Sequence, residues 1–158
     1  LVWYRGTGSP ERRPVVFLAH LDVVPALKEA WRYDPWQVTE VDGLLYGRGV
    51  VDNKYGVLTM TRAFLRLKRE GFVPDRDLVL AFTGDEETSM ATTRALAERL
   101  RDAAFAINAD TGGGFRPARG VPSYLLQVAE KTYATFEIVA RSEGGHSARP
   151  TADNAIYA

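Results

Sequence analysis

Three short apolar runs mark the chain, at residues 15–19, 78–83 and 105–109. Near-continuous apolarity over so few positions predicts strands covered on both faces, as in the centre of a parallel sheet. The stretches between them carry a different period. From about residue 53 to 70, Val57, Met60, Ala63, Phe64 and Leu67 recur at helical spacing and predict one apolar stripe. Asp52 or Asn53 is expected to cap that helix, with Gly71 past its end and Pro74 soon after. A second helix is expected to about residue 101, capped by Thr88 or Ser89, with Met90, Leu96, Ala97 and Leu100 inward. Residues 1–4 predict a short strand, and residues 36–46 a hairpin turning on Asp42-Gly43. Strand, helix, strand, helix, strand defines an α/β fold, a mostly parallel sheet flanked by helices with right-handed crossovers.

After Asp110 the pattern changes. Gly112 to Gly114 and residues 117–122 are loop-like, and residues 125–128 and 132–140 then predict two strands. In the second of these Ala134, Phe136, Ile138 and Ala140 alternate onto one face. Two strands with no helix between them suggest an antiparallel pair and the start of a small second domain, so the boundary is expected near residue 124. Asp153 is expected to cap a further helix.

Composition narrows the chemistry. Lys plus Arg and Asp plus Glu both number 20, so no charge surplus points to nucleic acid. Hydrophobic residues make up 46% of the 158, enough for a packed core. The absence of cysteine excludes disulfides, thiolate metal sites and a cysteine nucleophile, so any metal here must use imidazole and carboxylate. No apolar run approaches the ~20 residues of a membrane helix. The chain begins at Leu1 and not at Met, so the natural N-terminus is expected to lie upstream, and the compartment, cytoplasmic or periplasmic, stays open.

Each apolar run delivers a metal-capable side chain at its carboxyl end: His20-Leu21-Asp22, Gly84-Asp85-Glu86-Glu87 and Asp110. That edge of an open α/β sheet is where ligands bind. Adjacent carboxylates at the end of a buried strand repel each other and resist desolvation, so a cation is expected beside Glu86 and Glu87. Singly, each motif has a plainer explanation. His20 could be a satisfied loop histidine, which Asp22 would orient if both share a strand face. Asp52, in Gly47-Arg48-Gly49-Val50-Val51-Asp52-Asn53, could only cap a helix, and Gly84 to Glu87 could be a solvated acidic turn. Together, one imidazole and several carboxylates suit a divalent metal, with zinc the leading choice. Four or more such ligands suggest two ions about 3.5–4 Å apart sharing a carboxylate, with a free carboxylate as general base. A serine-histidine-aspartate hydrolase has little support, because the chain lacks a Gly-x-Ser-x-Gly elbow.

Five segments in order, His20 to Pro25, Asp34-Pro35-Trp36, Asp42 to Lys54, Gly84 to Glu87 with Asp110, and Gly145 to Pro150, resemble one family. It is the co-catalytic di-zinc exopeptidase and amidohydrolase family of carboxypeptidase S, aminoacylase, glutamate carboxypeptidase, carnosinase and succinyl-diaminopimelate desuccinylase. The carboxypeptidase S-like branch is the most similar. The resemblance implies a metal-dependent hydrolase cleaving amide bonds of small peptides or N-acyl amino acids. It implies that His20 and Asp110 bind one zinc, Glu87 the other, and Asp52 both; cobalt or manganese would also suit. Glu86 is then the general base for the water between the ions, Asp22 the partner of His20, and His146 an oxyanion or substrate-carboxylate contact. A cis peptide is implied between Asp52 and Asn53. Residues 1–124 would be the N-terminal part of the catalytic domain, and 125–158 the beginning of an α+β lid through which full-length members form homodimers. Neither nucleic acid nor membrane is an implied partner. The family's last zinc ligand is a distant histidine, and only His20 and His146 occur here, so a fragment with an incomplete second site is expected. A non-catalytic metal-binding or dimerisation module keeping the fold is the alternative; an intact Glu86 favours the enzyme.

Overall fold

The computed structural model describes residues 1–111, 113–146, 148, 149, 152 and 155. They form two compact units, Leu1–Leu126 and Gln127–Ala158. The first is built on a four-stranded sheet of β1 (Val2–Tyr4), β2 (Val15–His20), β5 (Leu78–Thr83) and β6 (Phe105–Asn108), in the order β1-β5-β2-β6. β2 lies parallel to both β5 and β6, whereas β1 runs antiparallel to β5. The central pair is formed by the two most apolar runs, and Val16, Ala19, Val79, Leu80 and Ala81 are all buried.

Strand alternation divides the core between two helices. Val16, Val79 and Ala81 face Leu96 of α2 (Ala91–Arg99) and Leu100 at its C-cap. Leu80 packs against Met60 and Phe64 of α1 (Gly56–Arg69), with Tyr4, Phe17, Leu78 and Phe82 around them. Phe17 and Phe64 meet edge to face at 5.3 Å, the geometry that aligns a positive ring edge with a negative face. A helix on each face of a partly parallel sheet is the expected α/β arrangement. The hairpin is present as β3 (Thr39–Val41) and β4 (Leu44–Tyr46), and Asp42 and Gly43 both take positive φ at its turn. Gly71 ends α1 at φ 68°, and the Gly71 and Phe72 amides return to the carbonyls of Lys68 and Leu67.

Several expectations need correction. Neither Asp52 nor Asn53 caps α1; both sit in a kinked turn, Val50–Tyr55, with non-helical backbone angles. Thr88 does not cap α2, and Ser89 contributes only a long bond, its Oγ accepting the Ala91 amide at 3.3 Å. The N-cap position of α2 is Met90, and the Asp85 carboxylate accepts from the Ala91 and Thr92 amides at 2.8 and 3.1 Å. The hydroxyls of Ser89 and Thr92, and then those two amides, hold the Asp85 carboxyl down at about 2. Ala63, Met90 and Ala97 are exposed and add nothing to the core. β6 is an edge strand, not a central one, and its Phe105 and Ile107 are exposed. The glycine-rich stretch expected to be loop forms β7 (Gly113–Phe115), antiparallel to β8 (Ser123–Leu125), so pairing ends before residues 126–128.

In the second unit the strand expected at 132–140 is absent among the described residues, and Tyr133, Phe136 and Ile138 are exposed. Among the described residues this unit carries no helix or strand. The helix expected from Asp153 lies outside the described residues.

Candidate metal centre and active site

Register brings the ends of β5, β2 and β6 together. His20 is level with Thr83, the Leu21 amide continues the ladder to the Thr83 carbonyl, and the Ala109 amide bonds the Leu18 carbonyl. The chain therefore emerges from three adjacent strands at one edge, carrying His20, Glu86 with Glu87, and Asp110. The Val50–Tyr55 turn brings Asp52 to the same place. The bond between Asp52 and Asn53 is cis.

His20 is the centre of this group and is 2% exposed. Its Nδ1 donates to the Asp22 carbonyl at 3.1 Å. In the neutral ring this leaves the lone pair on Nε2, the nitrogen a metal would use. Around Nε2 lie Asp52 Oδ1 at 2.8 Å, Asp110 Oδ1 at 3.2 Å and Glu86 Oε2 at 4.0 Å. Donor atoms of His20, Asp52 and Asp110 all lie within 4.8 Å of one another, and so do those of His20, Glu86 and Glu87. Ligand bonds of 2.0–2.2 Å in a tetrahedral zinc site separate the donors by about 3.3 Å. Both the spacing and the nitrogen-and-oxygen donor set therefore fit a divalent ion. Among the described residues no Lys or Arg pairs with Glu86 or Glu87, and the His20 ring, with Nε2 4.0 Å from Glu86 Oε2, is charged only when protonated.

Charge follows this geometry. Burial of the His20 ring disfavours its protonation, but the Asp52 hydrogen bond, the Asp110 charge and the Asp22 carbonyl outweigh that, so its pKa is raised. Glu86 is also raised, by its burial first and then by Asp110, Glu87 and Asp22, with His20 opposing. Mutually repelling, partly desolvated carboxylates around one imidazole are what a cation would relieve.

Asp22 does something the sequence did not suggest. Beyond its carbonyl's bond to His20, its carboxylate accepts from the amides of Glu86 and Glu87 at 3.1 and 2.9 Å. Those two amides outweigh burial and hold the Asp22 pKa below the usual carboxylate range. Its carboxylate lies farther from His20, with Oδ1 at 3.4 Å from Nδ1. One residue thus aims the imidazole and pins the turn that carries both glutamates. Asn53, considered from sequence only as a helix cap, is 1% exposed and donates from Nδ2 to Asp110 Oδ1 at 3.0 Å. Lys54 bonds the Leu21 carbonyl. His146 belongs to the second unit, is exposed, and accepts the Ala148 amide on Nδ1 at 3.2 Å, which places the proton of its neutral ring on Nε2.

An α/β sheet with imidazole and carboxylates gathered at its carboxyl edge defines a metal-hydrolase type of site. Residues 16–153 match the model of peptidase family M20/M25/M40, and the chain belongs to that family. It is 31% identical over 154 residues to human "N-fatty-acyl-amino acid synthase/hydrolase PM20D1", covering 94% of this chain and 31% of that protein. A "probable succinyl-diaminopimelate desuccinylase" of Staphylococcus aureus is 32% identical over 156 residues, covering 96% of this chain and 35% of that one. Among solved structures, human carnosine dipeptidase 1 superposes with a TM-score of 0.58 at 30% identity, over 69% of this chain and 25% of its own. The chain thus spans about a third of the length of the curated relatives it matches.

Proposed function

We propose that this chain carries most of the metal centre of a hydrolase that cleaves amide bonds next to an amino acid, in small peptides or N-acyl amino acids. The observation that carries the proposal is the crowding of Asp52 and Asp110 within 3.2 Å of His20 Nε2, with Glu86 Oε2 at 4.0 Å. The names of the relatives support the substrate class: fatty-acyl amino acids, a succinyl amine and dipeptides share such an amide.

His20, Asp52, Asp110 and Glu87 would hold the ions, zinc before cobalt or manganese, with Asp52 shared. A bound divalent metal supplies Lewis acidity and lowers the pKa of water. Glu86 is left to move the proton. Its carboxylate takes one from the attacking water and returns it to the departing amine. Asp22 keeps the Glu86 and Glu87 amides, and so both carboxylates, on the turn beside His20. His146, with its proton on Nε2, is assigned as the donor to the substrate oxyanion or carboxylate, supplied from a lid that pairs two subunits. Exopeptidase action of the carboxypeptidase type is the finer form of this reading.

The test is Glu86→Gln in the full-length protein. Metal content should stay unchanged while hydrolysis of an N-acyl amino acid or dipeptide panel falls by about 10²–10⁴-fold, the range for a lost general base. Bound metal with no turnover even in the unmutated protein would favour the non-catalytic module instead.

A further inference from the structure

We infer that Asn53 is a positioning residue that sets the orientation of the Asp110 carboxylate for metal binding. The inference rests on the metal-hydrolase reading above and adds a residue that acts only through Asp110.

Asn53 is 1% exposed, so its amide is committed to the protein interior. Its Nδ2 reaches Asp110 Oδ1 at 3.0 Å, across 57 positions of sequence. Chemistry fixes which end of the amide faces Asp110, because only the NH₂ can donate to a carboxylate and the carbonyl oxygen would repel it. The other end, Oδ1, is buried without a hydrogen-bond partner. A buried amide with one end unsatisfied is costly, and a nonpolar side chain of similar shape would avoid that cost. Stability alone therefore gives a weak reason for asparagine here, whereas the donor has a clear use. A carboxylate rotates about its last bond over a broad, nearly two-fold torsion. One charge-neutral donor on Oδ1 fixes its plane and leaves the second oxygen and a remaining lone pair for a cation. The same Oδ1 sits 3.2 Å from His20 Nε2, so the donor also sets the spacing of two metal ligands. Gly56 completes the arrangement. A Cβ there would overlap Asn53 Oδ1 and come within 2.8 Å of the Ala109 Cβ, so only glycine leaves room for the amide to lie against Asp110.

The experiment measures zinc affinity by chelator competition, with unfolding of the metal-free protein as control. It compares wild type, Asn53→Leu, Asp110→Ala and the double variant, all in the full-length protein. Asn53→Leu should weaken zinc binding by about 10–100-fold, the usual cost of losing a partner that orients a ligand. The metal-free melting temperature should hold or rise. In the Asp110→Ala background the same change should cost little further affinity. Asn53→Ser, whose short hydroxyl cannot span to Asp110, repeats the comparison if leucine prevents folding. Unchanged affinity in Asn53→Leu or its stand-in overturns the inference while leaving the metal site intact. An equal loss with and without Asp110 also overturns it, since Asn53 would then act on the fold at large. A wild type that binds no zinc overturns the parent reading and this one with it.

Discussion

At the scale of single residues, neighbouring side chains are given different tasks in the proposal above. Glu86 and Glu87 look equivalent in sequence, and the Asp22 carboxylate ties down the turn that carries both of them through their amides. His20, Glu86, Glu87 and Asp110 were legible because each follows an apolar run, and the end of a strand can be found from the run itself. Asp52 was legible only in combination with them. The second tasks of Asp22 and Asn53 were not legible, because both depend on bonds to positions far along the chain that no local spacing encodes. Gly56 belongs with them: it reads as an unremarkable helix residue, yet it lies where added bulk meets Asn53 Oδ1 and the Ala109 side chain. Gly56→Ala gains intrinsic helix propensity, which alone would stabilise by about 1 kcal/mol. The overlap with neighbours on two other segments costs about 1–3 kcal/mol, so overpacking should prevail. Denaturant unfolding should show a less stable protein, and zinc affinity should fall with it as Asn53 is displaced. A more stable Gly56→Ala protein would mean that this corner of the site is loose.

At the scale of elements, the sheet was read correctly where the signal was local and incorrectly where it depended on neighbours. An apolar run reports that a strand is covered on its faces but not how many strands flank it, which is why β6 was expected at the centre and lies at the edge. The alternation at 132–140 marks one face of a strand, but a strand also needs a partner edge, and Phe136 and Ile138 are exposed with none formed. The cap of α2 was missed because Asp85 reaches forward six residues to the Ala91 amide, outside the two or three over which a capping side chain is sought. Asp77 makes a comparable connection for β1, accepting the Gly6 amide at 2.8 Å and Arg5 Nη1 at 2.6 Å just before β5 begins. The Gly6 bond, and then Arg5, depress its pKa. A carboxyl held down in the fold contributes stability above its unfolded value, about pH 4, and loses that contribution as pH falls through its folded value. Urea titrations of wild type and Asp77→Asn should therefore differ at pH 7 and converge as the pH drops below about 4. A gap of constant size across that range would show that the charge of Asp77 is irrelevant to the docking of β1.

At the scale of the molecule, the proposed metal centre would also hold separate segments together. β2, the kinked turn before α1, the β5–α2 turn and the end of β6 each contribute a carboxylate or the imidazole, and they converge on a few ångströms of space. Without an ion, Asp22, Glu86, Glu87 and Asp110 repel one another around a single histidine, and the pKa of Glu86 is raised by its burial first and by that repulsion second. With an ion, the repulsion becomes the binding energy, and only the folded chain presents all the donors at once. Binding to the folded state alone stabilises it by RT ln(1 + [L]/Kd), about 2.7 kcal/mol at a hundredfold excess over Kd. Removing metal with a chelator should therefore lower the melting temperature of the full-length protein, and readdition of zinc should restore it in a concentration-dependent way. The shift should shrink in Asp52→Asn and Asp110→Asn, which remove ligand charge from the cluster while nearly conserving shape. At a pH above the raised pKa of His20, where its ring is neutral, the metal-free forms of these variants should melt no lower than metal-free wild type, because the substitutions then relieve repulsion without breaking an ion pair. That opposite sign, less stable with zinc but not without it, separates a metal centre from an ion-pair network around protonated His20. In such a network, removing either carboxylate would destabilise the metal-free protein and zinc would make no difference.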